Sequence, residues 1–144
     1  MKKVCVFLMM FFGVLSVHAQ FRVDRLISAG RSALYYEDYV LSIQYFNLAI
    51  NSKPYLYEPW YLRAVAKYNL DDFVGAEKDV GQAINLNPYY NEMYDLRAIC
   101  RIRQNKFKEA ISDYNEAIRI DPRNQNYWFN RALCHFQEKD YAGT

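Results

Sequence analysis

Two stretches of the 144-residue chain decide its fold. Residues 57–88 read YEPWYLRAVAKYNLDDFVGAEKDVGQAINLNP, and residues 91–122 read NEMYDLRAICRIRQNKFKEAISDYNEAIRIDP. Aligned without a gap, both have an aromatic fourth residue, Arg and Ala as the seventh and eighth residues, and Pro at the end. The offset between them is 34 residues.

The same spacing extends in both directions from these two stretches. Several residue series recur at the step of 34: Pro54, Pro88 and Pro122; Ala49, Ala83 and Ala117; Tyr39, Phe73, Phe107 and Tyr141; Gly30, Ala64, Ala98 and Ala132; Leu26, Trp60, Tyr94 and Trp128. Superposed series at one period indicate an internal structural repeat. With position 1 assigned to Val23, Tyr57, Asn91 and Gln125, the units are 23–56, 57–90, 91–124 and a truncated 125–144.

Each unit has the pattern of two amphipathic helices, at about positions 2–14 and 17–30. In residues 110–118 the apolar side chains recur every three or four residues, which is the spacing of one helical face. A short polar turn separates the two segments. The Pro near the end of the unit prevents the helix from continuing.

These positions resemble the tetratricopeptide repeat family. Its pattern has an aromatic residue at position 4, small residues at 8, 20 and 27, an aromatic at 17 and Pro at 32. The second unit supplies Trp60, Ala64, Phe73, Ala76, Ala83 and Pro88, and the third supplies Tyr94, Ala98, Phe107, Ala110, Ala117 and Pro122. The first unit departs at Leu26 and Ser42. The resemblance covers residues 23 to 144 and implies an all-α fold, a right-handed solenoid of about three and a half units.

The fourth unit stops at Thr144, which is position 20 of 34. A solenoid normally ends in a helix with a polar outer face, so we expect Trp128, Leu133 or Phe136 to be exposed. The sequence therefore predicts the N-terminal part of a longer protein.

Residues 1–19 have the pattern of a cleavable signal peptide, and residues 20–144 form the predicted solenoid. Lys2 and Lys3 precede an uncharged apolar run over residues 4–17, and Ala19 precedes the expected cleavage site. A run of 14 residues is short for a permanent membrane anchor. We therefore expect an exported protein, in a bacterial periplasm first, or in the lumen of the endoplasmic reticulum or secreted if the source is eukaryotic.

Composition disfavours several functional classes. Without Lys2 and Lys3, 16 basic residues face 16 acidic ones, so no basic excess favours nucleic acid. The mature chain has one His, His135, and two Cys, which gives no metal site and no catalytic constellation. We therefore expect no enzyme activity, no cofactor and no integral membrane span. His135 is interpreted as a core residue, and Cys100 and Cys134, both at position 10, as buried thiols rather than a disulfide.

Charged residues at positions 7 and 23 occur together. Arg is at position 7 of the last three units and Asp at position 23 of the middle two, whereas the first unit has Ala29 and Tyr45 there. We predict structural ion pairs between helices, either within a unit or onto the next one. The residues are Arg63, Asp79, Arg97, Asp113 and Arg131.

The resemblance implies a concave groove lined by positions 5, 9, 12 and 13 of the first helices. Those residues are Ile27, Arg31, Leu34 and Tyr35; Tyr61, Val65, Tyr68 and Asn69; Asp95, Ile99, Ile102 and Arg103; Phe129, Leu133, Phe136 and Gln137. Positions 9 and 12 are equally compatible with packing between helices. A clamp for acidic peptide C-termini is disfavoured, because its basic positions hold Ile27, Glu92 and Leu96.

The predicted function is a scaffold that binds another protein or peptide segment in this groove outside the cytoplasm. The alternative is the extracytoplasmic sensory or regulatory region of a longer membrane-bound signalling protein or enzyme. That alternative predicts a membrane-spanning segment after residue 144.

Overall fold

The computed structural model describes residues 22–142, with side chains described through Lys139. This part of the chain forms seven α-helices and no strand, which confirms the all-α helical-repeat fold. The helices are α1 at 22–35, α2 at Tyr39–Ser52, α3 at Tyr57–Asn69, α4 at Phe73–Leu86, α5 at Asn91–Ile102, α6 at Phe107–Ile120 and α7 at Gln125–Ala142. The predicted signal peptide, residues 1–19, lies outside the described residues.

The turns within the first three units share one backbone conformation. The residue at position 15 has positive φ in each unit: 61° at Glu37, 60° at Asp71 and 58° at Asn105. Asp38 and Asp72 follow and cap the next helix, accepting hydrogen bonds from backbone N–H groups at 3.1 and 2.9 Å. The second helices end two residues before each Pro, as predicted.

The last helix differs from the predicted fourth unit. We expected a turn after position 14 and a second helix that begins near Tyr141, but α7 continues without a break to Ala142. Position 15 of this unit is Lys139. Asp71 and Asn105 are residue types that adopt the left-handed conformation readily, but Glu37 adopts it as well, so residue type at position 15 does not by itself explain the missing turn.

Small residues allow the helices to approach closely. Ala64, Ala76 and Ala83 have no exposed surface, and each helix packs on the next one along the chain. Gly30 is the extreme case, because a Cβ atom there would lie 2.5 Å from the Phe46 ring. The Phe46 ring leaves no space for a methyl group at position 8 of the first unit, which explains why this unit has Gly where the others have Ala.

Each later unit is fastened to the preceding one by the aromatic residue at position 4. The Trp60 indole donates to the Pro54 carbonyl at 2.9 Å, and the Tyr94 hydroxyl donates to the Pro88 carbonyl at 3.2 Å. Trp128 repeats the bond to Pro122 at 3.1 Å. An Arg at position 7 lies over each ring: Arg63 at 4.8 Å, Arg97 at 5.6 Å and Arg131 at 4.7 Å from the centroid.

The arginines at position 7 reach the aspartates of their own unit. Arg63 and Arg97 each lie 2.7 Å from Asp79 and Asp113 respectively, and both carboxylates are almost fully buried. The alternative pairing onto the next unit is not formed among the described residues. Arg131 instead donates to the Asn115 side chain at 2.7 Å.

Two further cations were missed by sequence reasoning. Lys67 and Arg101, at position 11, each lie 2.8 Å from the aspartate of their unit. The signal was available, because positions 7 and 11 are one helical turn apart on the same face. Each buried aspartate is therefore neutralised by two basic side chains.

Glu77 forms the polar link between the second and third units. Its carboxylate accepts hydrogen bonds from Arg101, Gln104 and Lys106 at 2.8–2.9 Å. Burial alone would raise the pKa of Glu77, but these donors hold it at about 2, well below its ordinary value of 4.5.

The two cysteines are buried and unbridged. Burial raises the pKa of the Cys100 thiol to about 12 and also raises that of Cys134. This agrees with the interpretation as packing residues.

Candidate functional site

The first helices of the units, α1, α3, α5 and α7, carry the predicted groove. The structure places its residues in three different environments. Some are buried or committed to packing, some form polar contacts elsewhere, and some are exposed.

Several predicted groove residues belong to the core. Ile27 is only 8% exposed and packs with Val23 and Ala49, although it also lines an open cavity beside Arg31, so its place in the groove stays a prediction. Tyr68 and Ile102 are half-buried and pack against the main core.

Other predicted groove residues form polar contacts within the protein. Arg31 pairs with Glu58 at 2.6 Å, although its side chain is 60% exposed. Arg103 lies 4.6 Å over the Phe73 ring and 3.6 Å from Asp71, at the turn between α3 and α4. Asn69 donates to the Val65 carbonyl of its own helix at 2.8 Å.

The exposed members are aromatic or apolar. Tyr35 is 81% exposed, Phe129 70%, Phe136 68% and Leu133 45%. Trp128 is also exposed, as predicted, and His135 is exposed rather than in the core. The core interpretation of His135 is wrong because no described helix covers that face of α7. Leu34, Val65, Ile99 and Gln137 are half-buried.

A cluster of tyrosines and carboxylates spans α3, α5 and α7. We name it the acidic tyrosine cluster and define it by Tyr61, Tyr90, Glu92, Asp95 and Tyr127. Tyr61 and Asp95 share position 5 of neighbouring units, and Glu92 precedes Asp95 by one helical turn. The Tyr127 hydroxyl accepts a hydrogen bond from the Asn91 side chain at 3.1 Å, and Tyr90 packs on Tyr57 with ring centroids 5.9 Å apart.

The electrostatics of this cluster are those of a negative surface. Burial raises the pKa of Tyr61, and the carboxylates of Glu92 and Asp95 raise it further. Burial and Glu92 likewise raise the pKa of Asp95 above its ordinary value. The Asp95 Oδ1 atom and the Tyr114 hydroxyl are both buried and lie next to each other, and hydrogen bonding from Tyr114 opposes part of the rise in the Asp95 pKa.

Sequence reasoning identified Tyr61 and Asp95 but not the other members of the cluster. Tyr90 and Glu92 lie at the N-terminus of α5, outside the positions that the family pattern assigns to the groove. The repeated tyrosines just before and at the start of the first helices were the available signal.

Residues 22–142 contain no group of three His, Cys, Asp or Glu side chains that could hold a metal ion. Within the same range, none of the helices combines the length and the apolar character that crossing a bilayer requires.

Comparison with known proteins supports the repeat. A family model described as TPR repeat matches residues 101–138. No curated protein sequence matches the chain. Among solved structures, the first TPR of Spaghetti (RPAP3) bound to the HSP90 peptide SRMEEVD is 25% identical, with a TM-score of 0.74 over 78% of this chain and 92% of that chain.

Two other solved structures have the same fold at lower identity. The second TPR domain of human RPAP3, in complex with the HSP70 peptide SGPTIEEVD, is 20% identical, with a TM-score of 0.77 over 81% of this chain and 98% of that chain. MamA is 19% identical, with a TM-score of 0.79 over 81% of this chain and 68% of that chain.

Proposed function

Because this chain is a tetratricopeptide-repeat protein, we propose that it is an interaction scaffold that binds a segment of a partner polypeptide on the surface of its first helices. The observation that carries the proposal is the stack of helix pairs, a fold that this chain shares with a TPR domain solved with a bound peptide. Phe129, Phe136 and Tyr35 are each about 70–80% exposed. Exposed aromatic groups are frequent at binding surfaces, because they bury much area with little loss of entropy.

The solved relatives support the same kind of activity. The two RPAP3 domains named above are complexes with short peptides. For this chain, peptide binding requires only non-covalent contacts with the exposed surface.

We further propose that the protein acts outside the cytoplasm. The support is the basic, apolar and small-residue pattern of residues 1–19. Terminal sequencing of the protein isolated from its own cell would test this. A mature terminus at Gln20 in an exported fraction is expected, and a terminus at Met1 in the cytoplasmic fraction would overturn it.

The binding surface is tested by crosslinking pull-down with the full chain. The variant Tyr61→Ser/Phe129→Ser removes the exposed Phe129 ring and the half-buried Tyr61 ring, which also packs against the core. The matched control is Val40→Ser/Val74→Ser, which removes side chains that are 59% and 67% exposed on the second helices. Circular dichroism checks the fold of both variants.

A partner captured by wild type and by the control, but lost with Tyr61→Ser/Phe129→Ser, supports the proposal. Equal capture by all three proteins would contradict it and would place the contact elsewhere.

A further inference from the structure

The arginine at position 7 reaches back to the preceding unit at two of the three junctions between units. Arg63 pairs with Asp79 of its own unit, and its Nη1 atom donates to the Asn47 side chain of the preceding unit at 2.6 Å. Arg131 forms the second of these bonds with Asn115, at 2.7 Å. Asn47 and Asn115 both occupy position 25, so these junctions have the same acceptor for the guanidinium group.

Arg97 lacks this acceptor, because position 25 of the second unit is Gly81. Its Nε and Nη2 atoms pair with Asp113, but Nη1 has no hydrogen-bond partner within residues 22–139. A Cβ atom on Gly81 would meet only this nitrogen, at 3.9 Å, so close packing does not require Gly here. Gly within a helix is unfavourable, and its presence without a packing reason sets this junction apart from the other two.

An open cavity of about 440 Å³ lies at this position, between α4 and α5. Gly81 and Arg97 line it, together with the polar side chains of Gln82 and Asn85. The volume is within the range of sites for small molecules. At this junction a cavity therefore stands where the other two have an Asn side chain.

Positive charge is in excess around this cavity. Lys78 lines it three residues before the glycine, is exposed, and forms no ion pair within the described residues. Glu77 also lines the cavity, but Arg101 and Lys106 neutralise its carboxylate at 2.8–2.9 Å. Lys78 Nζ and Arg97 Nη1 therefore give the cavity two unused cationic donors.

We propose that this cavity binds a small carboxylate anion, one oxygen of which accepts a hydrogen bond from Arg97 Nη1 as the Asn oxygen does at the other junctions. Lys78 supplies a second charge-assisted hydrogen bond, which favours a carboxylate over a neutral amide. The site uses positions 7, 22 and 25, none of which belongs to the predicted groove. The inference therefore goes beyond the proposed function and does not depend on it.

The test is an NMR titration of the full chain, labelled with ¹⁵N, at constant ionic strength. Sodium propionate is the probe, and neutral propionamide is its control. We expect propionate to shift the backbone amide resonances of Gly81 and Gln82 and the Nε–H resonance of Arg97. Propionamide is expected to bind about fivefold more weakly, because it lacks the charge.

Two variants remove the site without disturbing the core. Gly81→Asn supplies the acceptor that the other junctions have, so we expect it to fill the cavity and to abolish binding of propionate. Gly81→Ala is the matched control, because a methyl group provides no acceptor, and it should still bind. Lys78→Gln should weaken binding about threefold, whereas Lys108→Gln, which removes a 79% exposed cation from α6, should not.

N-acetyl-aspartyl amide presents a similar carboxylate on a peptide backbone and distinguishes the two sources of this group. We expect it to bind no more tightly than propionate. A preference for it of about tenfold or more would assign the site to an acidic side chain of a polypeptide and overturn the free anion as the ligand. Absence of binding by every probe, or equal binding of propionate to wild type and to Gly81→Asn, would overturn the site and leave the proposed function standing.

Discussion

The first repeat and the two repeats that follow form the same helix pair with different chemistry. In the second and third units, an aromatic ring bonds the preceding Pro carbonyl, an Arg lies over that ring, and the Arg pairs with a buried Asp. The first unit has Leu26, Ala29 and Tyr45 at those three positions. Its contacts are apolar, with Gly30 packed against the Phe46 ring.

The difference shows that the ring-to-carbonyl bond and the Arg–Asp pair are not required for a unit to fold. Close apolar packing contributes to the contact of α1 with α2, and a small residue at position 8 is common to both kinds of unit. The Arg–Asp pair instead fixes how the two helices of a unit are aligned, because any other alignment would leave a buried charge unpaired. The two kinds of unit should therefore respond differently to substitution.

The largest expected effect is the loss of a position-7 Arg. Arg97→Ala leaves Asp113 with Arg101 alone, and we expect the free energy of unfolding to fall by about 2–3 kcal/mol. The double variant Arg97→Ala/Asp113→Tyr copies the pair found in the first unit and should lose less than the sum of the two single variants. Urea denaturation measures this coupling. Strict additivity would show that the pair is not a unit.

The second expected effect distinguishes two helical glycines. Gly30→Ala places a Cβ atom 2.5 Å from the Phe46 ring, so we expect a loss of about 1–3 kcal/mol. Gly81→Ala is the matched control, since its Cβ atom would meet only Arg97 Nη1, at 3.9 Å. That variant should gain about 0.5–1 kcal/mol, because Gly is unfavourable within a helix. Thermal denaturation of both variants shows whether close packing or helix propensity determines the change in stability at Gly30.

A third prediction concerns pH and the link between the second and third units. The pKa of Glu77 is lowered to about 2 in the folded protein, so its contribution is present above the ordinary pKa of 4.5. It is lost as the pH falls from about 4.5 toward 2. We expect about 1 kcal/mol in this window after solvent screening. Glu77→Gln should flatten that part of the stability profile, and an unchanged slope would contradict the assignment.

The smallest expected effect concerns the ring-to-carbonyl bond. Tyr94→Phe removes the hydroxyl that donates to the Pro88 carbonyl and should cost about 0.5–1 kcal/mol. Tyr89→Phe is the control, since that side chain is 77% exposed. Equal midpoints for the two variants in urea would mean that the bond contributes nothing to stability.

Much of the fold could be predicted from the sequence because it depends on local periodicity. The 34-residue register located the helices α2 to α6 within one or two residues, and Pro54, Pro88 and Pro122 marked the ends of units. The continuation of α7 was missed, since the hydrophobic pattern does not determine whether the residue at position 15 adopts positive φ. The hydrogen bonds from Trp60 and Tyr94 to backbone carbonyls could not be predicted, because every residue has the same backbone acceptor.

The candidate site was predicted less completely than the fold. A register position predicts which face a residue occupies but not whether a neighbour covers it, as Ile27 and His135 show in opposite directions. The acidic tyrosine cluster brings together residues from three helices and from the segment before α5. Its charge balance depends on which arginines are already paired, and only side-chain geometry shows that.

The most direct test of the proposed function is site-specific photocrosslinking. A photoreactive phenylalanine analogue replaces Phe129 on the first-helix surface or, in the control, Val74 on a second helix, which is 67% exposed against 70% for Phe129. Mass spectrometry of the adducts formed in the native compartment identifies the crosslinked segment. The account predicts one recurrent polypeptide segment at position 129 and not at position 74. Equal crosslinking at both positions, or recurrent adducts at position 74 alone, would contradict it.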